Sequence, residues 1–149
     1  MEKPVKAPGK RRIARELAVQ FLYQFDLSGG SLQEAVPLFW ETQSEVGEDG
    51  RKFTEELVNG VVERKLAIDE RIAKYTDNWD LPRIAAVDRN ILRLAMYEML
   101  FRDDIPPVVS INEAVDIAKK FSTQDSGKFV NGILDKVKSE LLRPARIVK

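Results

Sequence analysis

The chain has 149 residues, 44% apolar and 32% charged, the make-up of one soluble globular domain with room for a real core and no large disordered portion. It contains no cysteine and no histidine, which excludes disulfides, thiolate or imidazole metal sites, cysteine nucleophiles, Ser–His triads and imidazole acid–base chemistry. Its 24 cations match its 24 anions, yet the first sixteen residues carry Lys3, Lys6, Lys10, Arg11, Arg12 and Arg15 against only Glu2 and Glu16, a local balance of +4 on a body of −4.

Residues 1–9, with Pro4, Pro8 and Gly9, read as a flexible basic arm. From about Lys10 to Leu27, Ile13, Ala14, Leu17, Ala18, Phe21 and Leu22 fall on one helical face, and Ser28-Gly29-Gly30 stops that helix. Ser31-Leu-Gln-Glu34 matches a capping box, although Pro37 argues for a regular helix beginning only there. Residues 51–75 place Phe53, Leu57, Val58, Val61, Val62, Leu66, Ile68 and Ile72 at helical spacing, a length that predicts two helices broken somewhere after Gly60. Asp80 reads as an N-cap with Pro82 in the first turn of a helix to Phe101 that is apolar all round and so belongs in the middle of a bundle. DDIPPV reads as a short extended connection, and Ser110-Ile-Asn-Glu113 as a second capping box. Asp125 or Ser126 then caps a last helix faced by Phe129, Val130, Ile133, Leu134, Val137 and Leu141, which Pro144 ends. With no strand alternation, the expected fold is all-α with six or seven helices. No apolar run approaches the ~20 residues of a membrane span, and the first residues lack a signal-peptide core, so the cytoplasm is the expected compartment.

The basic cluster sits at the wrong end of its helix, because an N-terminus already carries positive partial charge. On the helical wheel, Arg12, Glu16, Val19 and Tyr23 align on the half opposite the apolar face, with Arg15 beside them. A solvent-facing ring among arginines suits single-stranded nucleic acid, with cations on phosphates and the ring stacking a base. The plainer alternative is a solvated face with an Arg12–Glu16 pair. DSGKFVNG, residues 125–132, is not a Walker A loop, since Ser122 and Phe129 stand where Gly and Ser/Thr are required. A helix opening there offers free N–H groups to a phosphate, and Phe129 is either core or a second stacking ring. Asp88, Glu98, Glu113 and Asp116 show no pairing that sequence establishes, so no catalytic residue and no metal or cofactor site is assigned. Glu113 is read as the capping-box acid, and Trp40 and Trp79 as core anchors.

Three blocks, RRIARELAVQFLYQ, VDRNILRLAMYEML and IPPVVSINEAVDIAKKFSTQDSGKFVNGILDKV, resemble the NusB family in order and spacing. The resemblance implies two small packed helical bundles, about 10–66 and 67–142, with a tail from 143 to 149. It implies a non-catalytic transcription antitermination factor that binds boxA RNA of ribosomal RNA leaders with the ribosomal protein NusE and acts on RNA polymerase elongation complexes. By the same resemblance Lys10, Arg11, Arg12, Arg15, Tyr23, Asp88, Asp125, Lys128 and Phe129 are the expected RNA neighbours. A homodimer stays open. The competing reading is a helical protein-interaction module whose basic arm meets an acidic partner.

Overall fold

The computed structural model describes residues 9–43, 46–76 and 83–141, and among them every regular element is a helix. In chain order these are α1 (Lys10–Ser28), α2 (Leu32–Glu41), α3 (Glu48–Glu63), α4 (Lys65–Tyr75), α5 (Ala86–Phe101), α6 (Pro107–Phe121) and α7 (Gln124–Glu140). The expected all-α fold of six or seven helices is what forms. The proposed arm, the Asp80 cap with Trp79 and Pro82, and the tail with Pro144 lie outside the described residues.

Helix α5 is the axis. Every residue from Asn90 to Met99 is buried, and α5 packs against α1, α3, α4, α6 and α7. An apolar surface on all sides leaves a helix no stable place but the interior, where burying each large side chain contributes about 1.5–3 kcal/mol. At its far end Tyr97 lies against Gly60 of α3, where any side chain would overlap the ring. That close approach accounts for a glycine inside a helix, where it otherwise costs stability.

Several boundaries differ from the sequence reading. Helix α2 starts at Leu32, ahead of Pro37, which lies inside it; the Ser31 hydroxyl accepts from the Glu34 N–H at 3.2 Å and caps its first turn. The break after Gly60 falls at Arg64, whose backbone (φ −111°, ψ 17°) ends α3 and begins α4. That change of phase turns Leu66 out to 83% exposure, although its spacing matched the buried positions. Helix α5 starts at Ala86 rather than after Asp80, since Ala85 is extended (ψ 137°). Helix α6 starts at Pro107, three residues before the supposed cap Ser110: proline is favoured in a first turn, where its missing N–H has no partner to lose. Helix α7 is capped by Thr123, not Asp125 or Ser126, with the Ser126 N–H donating to Thr123 Oγ1 at 3.0 Å.

Asp26 near the end of α1 joins three helices. It accepts from Arg89 Nε and Nη2 at 2.9 and 2.7 Å and from Asn90 at 3.1 Å, while Arg93 lies 2.9 Å away and also binds Asp69 of α4. Burial alone raises the Asp26 pKa, but the bonds from Arg89 and Asn90 and the charges of Arg93 and Arg89 bring it below the ordinary value. A lowered folded-state pKa gives stability that is full above the unfolded value, about 4, and is lost as pH falls through the folded value. The stability gap between the native protein and Asp26→Asn should therefore be widest near neutrality and close below about pH 4, as read by denaturant titration across pH. A pH-independent gap would refute the ionic account.

Candidate nucleic-acid interface

The half of α1 read as solvent-facing is instead mostly covered. Arg15, Glu16 and Val19 are all buried, and the helix is apolar or paired around nearly its whole circumference along its middle. What covers it is α5 and α6. Arg15 donates through Nε and Nη2 to both oxygens of Glu98 at 2.9 Å and through Nη1 to Glu113 at 3.1 Å. Arg12 binds Glu113 and, at 2.8 Å, Asp116. One turn on, Lys120 donates to Glu16 at 2.8 Å, and Ser110 Oγ donates to Glu98 at 2.8 Å.

Partners that advance together along both sequences, Arg12 with Asp116 and Glu16 with Lys120, set α1 and α6 parallel, joined by long side chains. The alternative Arg12–Glu16 pair therefore does not form. Glu113 is no capping acid either, because α6 has already begun and its carboxylate bridges two arginines. The seam holds three cations (Arg12, Arg15, Lys120) and four carboxylates (Glu16, Glu98, Glu113, Asp116), a formal balance of −1.

The cluster thus divides. Arg15, with its side chain 3% exposed, ties α1 to α5, and Arg12 is one-quarter exposed. Lys10 and Arg11 stay exposed at a helix start with no acidic residue in its first turn and no side-chain cap. Arg11 lies over the Phe53 ring, its guanidinium carbon 4.3 Å from the centroid.

Tyr23, 37% exposed, continues the seam face two turns beyond Glu16. It stands ~18 Å along the axis from Arg11 at 1.5 Å per residue. One turn further, Asp26 grips Arg89, and the preceding residue, Asp88, reaches the start of α7. Asp88 is 7% exposed; its Oδ2 accepts from Ser126 Oγ at 3.0 Å, while its buried Oδ1 has no hydrogen-bond partner among the described residues. Burial raises the Asp88 pKa above the ordinary value, with the Ser126 bond opposing. Ser122 and Ser126 share a hydroxyl contact at 2.8 Å, and Gly127 packs on the Lys119 stem. Asp125 and Lys128 are exposed on the first turns of α7, and Phe129 is half-buried against the core, the more economical of its two readings.

The structure therefore joins Asp88 to the α7 start through Ser126, sets Tyr23 one turn before Asp26, which holds the neighbouring Arg89, and leaves Lys10 and Arg11 at the other end of α1. The sequence reading missed the partners on α5 and α6. One signal for them was visible: Glu98, a carboxylate inside an all-apolar helix, needs a buried cation. A second was the spacing of Glu113, Asp116 and Lys120, which matches Arg12 and Glu16.

The pattern that defines the NusB family matches residues 12–139. The transcription antitermination protein NusB of Geobacter sulfurreducens is 47% identical over 133 residues, 89% of this chain and 96% of that protein. Its counterpart in Desulfitobacterium hafniense is 50% identical over 129 residues, 85% of this chain and 86% of that one. Among solved structures, T. maritima NusB superposes with TM-score 0.79 at 38% identity, covering 91% of this chain and 94% of that chain. NusB from a structure of antitermination factors NusB and NusE with double-stranded RNA superposes with TM-score 0.81 at 30% identity, covering 89% and 98%.

Proposed function

The chain belongs to the NusB family, and from that premise we propose that it binds boxA-type single-stranded RNA together with NusE and acts within the RNA polymerase antitermination complex. It is a transcription antitermination factor, and its work is binding rather than bond-making. The observation that carries the RNA reading is the exposed Tyr23, on the same helix as the α1 cations and two turns beyond Glu16 on the face that carries Arg12.

In this reading Lys10 and Lys128 meet phosphates, and Arg12 joins them where a phosphate displaces Asp116. Arg15 acts from the interior, fixing α1 against α5 and α6. Tyr23 stacks a splayed base, with the exposed part of Phe129 as a second apolar surface. Asp125, exposed on the first turn of α7, accepts from base amino groups, which adds sequence preference, while the buried Asp88 holds Ser126 in place beneath it. The first sub-bundle, about 10–66, carries the basic end, and the second, about 67–142, offers the surface for NusE.

The test is a fluorescence-anisotropy titration of a short boxA RNA against a scrambled one, with and without NusE, at several salt concentrations. Preference for boxA, strengthened by NusE, with a log–log salt slope of about −2 for three phosphate contacts, is the expected result. Equal affinity for both RNAs would reduce the site to a generic basic patch. Binding to neither would leave the protein-interaction module.

A further inference from the structure

The geometry points to Arg11 as a base-stacking residue, its guanidinium backed by Phe53 on one face and presenting the other to a nucleobase. The inference rests on the RNA reading and assigns this side chain a role other than the phosphate contact its charge suggests.

Two features carry it. First, the Arg11 guanidinium is pressed onto an aromatic floor that is itself immobile. Phe53 is 7% exposed, and the same ring is flanked by Arg15 at 5.5 Å and Arg102 at 5.7 Å. Arg15 is locked by Glu98, and Arg102 by two bonds to Asp104 at 2.9 and 2.8 Å. Second, none of the hydrogen bonds among the described residues uses the Arg11 guanidinium, and the residue is exposed, so contact with the ring is what orients it. Splayed bases stack on arginine planes as they do on aromatic rings, and a cation held on a ring is a pre-ordered platform. Arg11 and Tyr23 would then be two flat surfaces ~18 Å apart along α1 and about a third of a turn apart around it.

Arg11→Lys separates the two roles because it keeps the charge and removes the plane. The experiment titrates a short boxA RNA, and a set of the same RNA with single abasic positions, against the native protein, Arg11→Lys and Arg11→Ala at several salt concentrations. Stacking predicts that Arg11→Lys binds about five- to tenfold more weakly with an unchanged salt slope. It also predicts one abasic position that weakens the native protein and not Arg11→Lys. Arg11→Lys binding like the native protein, with only Arg11→Ala impaired and its slope reduced by about 0.7, would overturn the inference and leave RNA binding intact. Absence of RNA binding by the native protein would overturn both.

Discussion

Glu98→Ala should lower the stability of the fold by about 3–5 kcal/mol, because it leaves the Arg15 guanidinium charged in the interior with one of its three hydrogen bonds. Glu98 is 1% exposed and Arg15 2%, and the carboxylate accepts two bonds from Arg15 and one from Ser110. Glu113 reaches Arg15 at only one nitrogen and already serves Arg12, so it does not replace Glu98. At about 2–4 °C per kcal/mol for a chain of this size, the melting temperature should fall by about 6–20 °C. The pair itself is a different matter. Desolvating two charges nearly cancels their attraction, so Glu98→Leu combined with Arg15→Met should recover most of the loss. Thermal melts of the single and double variants read both effects. A single variant that melts within about 2 °C of the native protein would show that solvent reaches Arg15 and that the seam is not a buried network.

Tyr23→Ala should weaken RNA binding by about five- to 150-fold, the range that corresponds to about 1–3 kcal/mol for one stacked base. Tyr23 is more than one-third exposed and has no hydrogen bond among the described residues, so the fold should be unaffected and the melt nearly superimposable. Tyr23→Phe keeps the ring and should keep most of the affinity. Anisotropy with boxA RNA measures both variants. If the alanine variant binds as tightly as the native protein, no base rests on Tyr23, and the exposed end of α1 binds through charge alone.

The contrast between Arg15 and Tyr23 shows how far the sequence reaches. On a helical wheel both lie on the polar half of α1, and both are read as RNA-facing. Tyr23 is exposed because α6 ends at Phe121, so the covered seam stops short of it. Arg15 is buried because α5 places Glu98 beside it, 83 residues away along the chain. A wheel gives the angle of a side chain about its own helix and carries no information about which neighbour stands there. The same limit misplaced Ser110 and Glu113. A Ser-x-x-Glu spacing is the same string whether it opens a helix or lies within one, and Pro107 had already opened this one.

The sequence by itself determined the class of fold and the family. Apolar residues at helical spacing, a helix apolar on every side, Gly-Gly and proline breaks, and three long motif blocks are local patterns that specify helices and name the central one. They also excluded histidine and cysteine chemistry, since neither residue is present. Only the tertiary structure decided which of the four clustered cations face outward. Lys10 and Arg11 stay at the surface, while Arg12 and Arg15 are drawn into carboxylates from α5 and α6. The physical reason is that a charge entering the interior must be met by its opposite. Here the opposite charges come from parts of the chain that only folding brings near, so the cost of cations at a helix N-terminus is offset by contacts no local pattern records.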